Sequence, residues 1–240
     1  MKSLILHSNK YTDSVSSNLL INVLCRSGRR PIYHTDHLGI MLIHNRTYKT
    51  ILEKSLDFLG VEGYSVVRPY LPRGHWRNTY KIPAALGFVR ECNKEFILHI
   101  DSDDAILMGN PQRAVDYLEE SGGEMLLSTT DYTRYDFMPD REHWFDGKAR
   151  DAGWTHSRNV HLNAGVYVAR RAHLLQFLEA AAEYVTEDEP EWQEYEQRDR
   201  PTAKSTFPMG CGSEQNIFRF LYPSFAPAMR LDYAAKLAFR

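Results

Sequence analysis

The chain has 240 residues, 43% hydrophobic and 25% charged, the proportions of a folded globular domain and not of a disordered, collagenous or coiled-coil chain. Its 29 Lys and Arg against 31 Asp and Glu leave a formal net charge of −2, so no overall basic excess exists to hold a nucleic-acid backbone, and no nucleic-acid partner is expected. Cys25, Cys92 and Cys211 stand far apart with no C-x-x-C pair, which argues against a disulfide framework and fits a reduced compartment.

The opening residues, MKSLILHSNKY, hold an apolar run too short for a signal peptide, and no stretch approaches the ~18 apolar residues of a membrane span. A single cytoplasmic domain over residues 1–240, with no membrane span, is therefore expected. Leu4–Leu6 reads as a buried first strand opening into a loop at His7–Asn9, and Ser14–Leu24 as a helix ended by Gly28 and Pro31. Asn45 is placed to cap RTYKTILEKSLDFLG, in which Ile51, Leu52, Ser55, Leu56 and Leu59 share one helical face and Gly60 closes the last turn. Tyr64–Arg68 reads as a strand stopped by Pro69. Thr79–Cys92 reads as a helix with Pro83 in its first turn, where a missing N–H is tolerated.

Glu95–Ile100 is a strand running directly into Asp101, Asp103 and Asp104. Pro111–Glu120 reads as a short helix closed by Gly122 and Gly123, and Glu124–Ser128 as a strand. Asp131–Arg158 reads as loop-rich. Gly165–Ala169 is a strand leading into a helix over Arg171–Val185. Glu183–Asp199, with eight acids and one base, reads as a solvated excursion. Gly210-Cys211-Gly212 precedes a helix over Ser213–Leu221, and Met229–Tyr233 reads as a last strand. Strands alternating with helices imply an α/β architecture with a mostly parallel sheet, whose ligands sit beyond the carboxyl ends of the strands.

Three carboxylates in four residues repel one another, and burying them beside a sheet is costly unless a cation or hydrogen-bond donors compensate. Hard divalent cations take such oxygen ligands, commonly one or two carboxylates plus substrate phosphates. The plain alternative is a solvated loop that caps the helix near Pro111.

The stretch Phe96–Leu107 (FILHIDSDDAIL) resembles the D-x-D metal site of GT-A glycosyltransferases. Three further strings are similar to the family's pattern and in its order: a Lys81-bearing helix before the strand, His161–Val168 (HLNAGVYV), and Gly212–Phe218 (GSEQNIF). Arg230–Tyr233 then resembles a late "L-D" strand. The arrangement most resembles the glycosyltransferase domain of collagen lysyl hydroxylases and related collagen glycosyltransferases, over roughly residues 64–239.

The resemblance implies an α/β, GT-A (Rossmann-like) fold with a mostly parallel central sheet flanked by helices, a nucleotide-binding half over about 1–110 and an acceptor-side half over about 111–240. It implies transfer of a sugar from a nucleotide diphosphate sugar, expected to be UDP-linked, to a hydroxyl of a glycan, protein or small-molecule acceptor. The implied cofactor is Mn²⁺ or Mg²⁺. Asp101 would face the ribose or the metal, and Asp103 or Asp104 would bind the metal. Asn163 and Gly165 would line the sugar or acceptor side, with Glu214 and Gln215 facing hydroxyls there. The loop around Ser8 would touch the uracil end. An inverting enzyme needs a base beside the acceptor, for which Glu214 or Asp131 serves; a retaining one does not. The family usually adds a third metal ligand, often His, after its "L-D" strand. Here no His follows His173, so this ligand is expected to be absent, to come from another region, or to belong to a C-terminal part not in this sequence.

Arg73, His75, Arg77 and Lys81 lie in the basic, aromatic stretch RGHWRNTYK, and a diphosphate needs such cations. Arg77 and Lys81 are the nucleotide candidates; a surface loop anchored by Trp76 is the plain alternative. His34, Asp36 and His37 read as surface loop residues more than as a metal site. Tyr135, Trp144 and Trp154 are placed to stack on a sugar ring or to pack a core. Two other functions are alternatives. One is a non-catalytic nucleotide-sugar or carbohydrate-binding domain of the same fold. The other is an aspartate-dependent phosphohydrolase, whose D-x-D normally opens the chain.

Overall fold

A computed structural model describes residues 4–7, 33–72, 74–131, 139–155, 158–185 and 213–239. In chain order its elements are β1 (Ile5–His7), β2 (Leu38–Ile43), α1 (Ile51–Phe58), β3 (Tyr64–Val67), a 3-10 turn (Asn78–Tyr80), α2 (Lys81–Glu91), β4 (Phe96–Ile100), β5 (Ala105–Leu107), α3 (Arg113–Ser121), β6 (Met125–Thr130), α4 (Pro139–Asp151), β7 (His161–Arg170), α5 (Arg171–Ala182), α6 (Glu214–Phe225), β8 (Met229–Leu231) and β9 (Ala238–Phe239). The expected helix at Ser14–Leu24 and the acidic stretch beyond Val185 lie outside the described residues.

Six strands form the central sheet in the order β3-β2-β4-β7-β6-β8. β2 runs parallel to both β3 and β4, and β6 parallel to β8, while β7 runs against both of its neighbours. The sheet is thus mostly parallel, as expected. Helices cover both faces because the strands send alternate apolar residues each way. Met41, Ile43 and Ile97 pack with α2, α4, α5 and α6; Ile40, Leu42, Leu98 and Ile100 pack with α1, α3 and the small sheet β5-β1-β9. Among the described residues no helix is long and apolar enough to cross a membrane.

Several expectations are corrected. The expected first strand does form, as β1, and it pairs with β5 and β9 outside the central sheet. The place between β3 and β4 belongs to β2, for which no strand was expected. All six of its residues are buried, so it shows no alternation, and a short continuous apolar run has no period that distinguishes strand from helix. α1 starts after Thr50, not Asn45: the Thr50 hydroxyl accepts from the Glu53 N–H at 3.4 Å, and the Glu53 carboxylate accepts from the Thr50 N–H at 2.6 Å. This reciprocal capping box satisfies two otherwise orphaned donors. Within Asp131–Arg158, expected to be loop-rich, α4 forms and buries Phe145 and Ala149. α6 runs on to Phe225 with Pro223 inside it.

The connections set where a ligand can sit. From β2 the chain passes through α1 to β3 on one side; from β3 it passes through α2 to β4 on the other side of β2. This reversal opens a crevice between the carboxyl ends of β2 and β4, the place where open α/β sheets bind ligands. His44 and Arg46 reach it from β2, and the aspartate turn 101–104 from β4.

Candidate functional site

The Asp101 N–H donates to the Gly165 carbonyl at 2.7 Å, extending the β4–β7 pairing up to the first aspartate. Two helices begin beside it. Lys81 is the first residue of α2, and Glu214 the first of α6, where the Ser213 hydroxyl caps the helix by accepting from the Gln215 N–H at 3.2 Å. The Lys81 ammonium donates to Asp101 Oδ1 at 2.7 Å and to Glu214 Oε1 at 2.8 Å. Side-chain exposures are 12% for Lys81, 23% for Asp101 and 9% for Glu214, so solvent screens this triad little. Burial by itself works to lower the lysine pKa, but the two carboxylates outweigh it and hold the ammonium protonated, above its ordinary range.

The floor of the site is aromatic. His99 is 2% exposed and stacks on Tyr167 with ring centroids 4.9 Å apart. Its Nδ1 lies 3.2 Å from the Met41 carbonyl, which can only accept, so Nδ1 carries the proton. Its Nε2 faces Asp101 Oδ1 at 3.7 Å. Burial raises the Tyr167 phenol pKa, with Lys81 opposing and Glu214 and Asp101 adding to it. Neither His99 nor Tyr167 was singled out from sequence; a His inside the apolar run FILHI was the available signal.

β7 brings the remaining motif residues to the same edge. Asn163 Oδ1 accepts from the Gly165 N–H at 2.7 Å, and Gln215 Oε1 from the Ala164 N–H at 3.4 Å. Two buried atoms here have no partner, Asn163 Nδ2 and Glu214 Oε2. One is a donor and the other an acceptor, and a buried polar group left unpaired costs about 1–3 kcal/mol.

The aspartates of the turn diverge. Asp101 faces Lys81, whereas Asp103 faces Arg46, whose Nε and Nη2 both reach Oδ2, at 3.1 and 2.6 Å. Asp104 is half-buried in the same turn. Among the described residues no group of three or more His, Cys, Asp or Glu is arranged to hold a metal ion. Oxygen donors of the kind a hard divalent cation takes are nonetheless present in the turn. Asp103 and Asp104 are adjacent carboxylates at the crevice mouth, and the Arg46–Asp103 pair is 46% and 48% exposed, the kind of pair worth only ~1 kcal/mol or less. An ion sharing two carboxylates with a diphosphate needs no third protein ligand.

Asp131 follows β6 directly and is exposed, two strands from Asp101 on the same sheet edge and close enough to influence His161. Arg77 is buried just before the 3-10 turn. Ser8, Arg73, Tyr135 and the Gly210–Gly212 stretch lie outside the described residues. His34 and His37 border β2 on its amino side, away from the crevice. Trp144 packs edge-on against Phe145 and Tyr222, at 5.1 and 5.5 Å between centroids, as part of the core. Trp154 stays 38% exposed near Tyr233. The late Asp232 is structural in its contacts: its carboxylate accepts from the Lys236 and Leu237 N–H groups at 3.0 and 2.6 Å, which turns the chain into β9. Burial raises its pKa against those hydrogen bonds.

No protein-family model and no curated protein sequence matches the chain. Among solved structures it is similar to glucosyl-3-phosphoglycerate synthase of M. tuberculosis, with a TM-score of 0.40 and 15% identity over 98% of this chain and 78% of that one. It is also similar to a mycobacterial protein, with a TM-score of 0.35 and 14% identity over 92% of this chain and 84% of that one. Likenesses of this size carry no function across to this chain.

Proposed function

We propose that the chain is a metal-dependent glycosyltransferase that moves a sugar from a nucleotide diphosphate sugar, UDP-linked, to an acceptor hydroxyl. The observation that carries the reading is the Lys81 bridge between Asp101 and Glu214 at the strand-end crevice, with Glu214 Oε2 and Asn163 Nδ2 buried and unpaired beside it. The donor's nucleotide lies in the crevice between β2 and β4. Asp103 and Asp104 hold Mn²⁺ or Mg²⁺ there. When bound, the ion neutralises charge on the departing diphosphate as a Lewis acid.

The chain's own groups divide the remaining work. Lys81 stays protonated and places a fixed positive charge where negative charge develops, in a site of low exposure that strengthens the effect. Asp101 fixes that ammonium and faces the ribose. Asn163 Nδ2 donates to a sugar oxygen, and Gly165 leaves room for close approach of the ring. Glu214 keeps one oxygen on Lys81 and presents the other to a hydroxyl, as the base of an inverting transfer. Asp131, farther along the edge, is the second candidate base. Arg77 and Gln215 complete the nucleotide-sugar contacts.

A thermal-shift screen of nucleotide diphosphate sugars with and without Mn²⁺, followed by assay of the stabilising donor for turnover, tests the reading. Mn²⁺-dependent stabilisation by a UDP-sugar, with release of UDP, is expected. A protein that no nucleotide stabilises under either condition rejects it. Stabilisation without turnover supports a binding domain of the same fold, a reading favoured by Asp101 and Glu214 both being already paired with Lys81.

A further inference from the structure

We infer that the chain has a second ligand pocket, at the carboxyl end of β3, which takes a small aromatic ring carrying an anionic group, a phosphate or a carboxylate. A cavity of about 310 Å³ opens there. That is the small end of the range for small-molecule sites, roughly 300–1,000 Å³, and suits one substituted ring. The cavity shares no lining residue with the Lys81–Asp101–Glu214 site. Three segments build it. The chain leaving β3 supplies Arg68, Pro69, Tyr70 and Pro72. The start of α2 supplies Tyr80, Pro83 and Ala84, and Val185, just beyond α5, completes the lining.

The walls are stiff and mostly apolar. Each proline has a fixed φ. The Gly74 N–H donates to the Leu71 carbonyl at 3.0 Å, which closes the turn after Tyr70, and the Val185 N–H donates to the Ala182 carbonyl at 3.1 Å. Ala84 and Val185 also pack against the core. A cavity held in this way is preorganised, so little order has to be imposed when a ligand enters. Tyr70, 82% exposed, adds an uncovered ring of the kind on which another ring stacks.

Two polar groups set the chemistry. Tyr80 is 4% exposed, and its hydroxyl is buried without a hydrogen-bond partner, whereas a buried phenol ordinarily finds one. Arg68 is exposed, and its Nη1 donates to the Arg46 carbonyl at 2.8 Å. Among the described residues it makes no ion pair with a carboxylate. One hydrogen bond leaves most of the five-donor guanidinium fork for a ligand. A guanidinium without a counter-charge selects an anion, and the prolines, Ala84 and Val185 select a flat apolar body. A neutral sugar meets too few polar partners here, and a bare phosphate leaves the apolar walls uncovered.

The test measures binding and not transfer, so its outcome is independent of the glycosyltransferase reading. Phenyl phosphate and benzoate are titrated into the full chain by calorimetry. Benzyl alcohol, which lacks the charge, and inorganic phosphate, which lacks the ring, are the controls. At least one aryl anion is expected to bind about 10-fold or more tightly than either control, and which of the two does so distinguishes phosphate from carboxylate. Arg68→Gln, which keeps an N–H for the Arg46 carbonyl, is expected to weaken that anion about 10-fold. Tyr80→Phe is expected to weaken it about 3- to 10-fold, and Ala84→Leu, at a half-buried position, to abolish binding by filling the cavity. Far-UV circular dichroism checks that each variant is folded. Saturating UDP is expected to leave the affinity unchanged. No binding of either aryl anion, controls that bind as tightly, or an affinity that either Arg68→Gln or Ala84→Leu leaves unchanged overturns the pocket. Displacement of the probe by UDP makes the cavity part of the nucleotide crevice and overturns it as a second site.

Discussion

Lys81 and Glu214 lie 133 residues apart in the chain and meet at 2.8 Å, each as the first residue of its helix. Glu214 suits the positive end of a helix dipole, whereas Lys81 does not. The lysine is held there by the two carboxylates it joins. Lys81→Met leaves Asp101 and Glu214 facing each other without a cation, and a buried pair broken on one side typically costs about 3–5 kcal/mol. With Asp101 at 23% exposure, a loss near the lower end, about 2–4 kcal/mol, is expected in urea unfolding at pH 7.5. Adding Glu214→Gln to Lys81→Met recovers part of it. A single variant within 0.5 kcal/mol of wild type, on the scale of an ordinary surface change, shows that the bridge is not structural.

Glu214→Gln separates chemistry from stability. The amide keeps an oxygen for the Lys81 ammonium and the helix start keeps its Ser213 cap, so unfolding free energy is expected to change by about 1 kcal/mol or less. If the unpaired Oε2 is the base, transfer falls about 10²-fold or more. Transfer within a few-fold of wild type moves the base elsewhere, with Asp131→Asn the next variant to assay.

Three histidines, His44 and His161 buried and His173 half-buried, set an acid limit. Burial depresses the pKa of His44 against the pull of Glu53, that of His161 with help from Arg219 and against Asp146 and Asp131, and that of His173 against Glu124. In the unfolded chain each takes a proton near pH 6.5. Just below that value the unfolded state therefore binds more protons than the fold does, and stability is lost as pH falls. Their contribution is complete above about pH 6.5 and declines toward their folded values, by at most about 1.4 kcal/mol per histidine and pH unit. Urea midpoints are expected to drop between pH 7.5 and 5.5, and His161→Gln to flatten that profile relative to its own value at pH 7.5. A wild-type profile that is level across the same range contradicts the linkage.

Two glycines are expected to respond in opposite directions to alanine. A Cβ on Gly123 lies 2.7 Å from Arg230 Cγ and 2.9 Å from the Ala228 carbonyl oxygen. That carbonyl already accepts from the Glu124 and Met125 N–H groups where β8 joins β6. Backbone cannot yield there as a flexible side-chain end does, and Gly123→Ala is expected to cost about 1–3 kcal/mol. Gly147 lies inside α4, and a methyl group added there meets nothing within 4 Å, so Gly147→Ala is expected to gain about 0.5–1 kcal/mol. Chemical unfolding of both variants checks the contrast; equal signs refute the close-approach reading of Gly123.

Much of the local structure was legible because its causes are local. The apolar run ending in Asp101 declares a buried strand meeting a polar edge, and Ser213 followed by Glu214 declares a capped helix. Capping information was present for α1 as well: Thr50-Ile-Leu-Glu53 is a capping box in the sequence, and Asn45, five residues earlier, is a competing cap of similar chemistry. β2 was illegible for a different reason. A strand buried on both faces has no alternation, and its identity comes from the hydrogen bonds of β3 and β4, which no local pattern encodes. α4 hid because its few buried residues, Phe145 and Ala149, sit among charged ones that form no clear apolar stripe.

Most residues of the site were likewise named by sequence, His99, Tyr167 and Arg46 excepted, but the contacts among them were not. Lys81, Asp101, Asn163, Gly165, Glu214 and Gln215 converge because the antiparallel β7 brings its early residues beside the end of β4, and because α2 and α6 both start at that edge. The partition of the aspartates was decided only in three dimensions. Each carboxylate repels its neighbours and turns to whichever cation the fold supplies, Lys81 from one side and Arg46 from the other. Those cations lie 20 and 57 residues away from their partners, and sequence spacing carries no information about which of them a given carboxylate meets. The chain's own pattern thus specified a strand-end acid cluster in an α/β sheet; the placing of β2 beside β4 and of α2 and α6 at their ends determined which charges are paired there and which buried polar atoms are left without a partner.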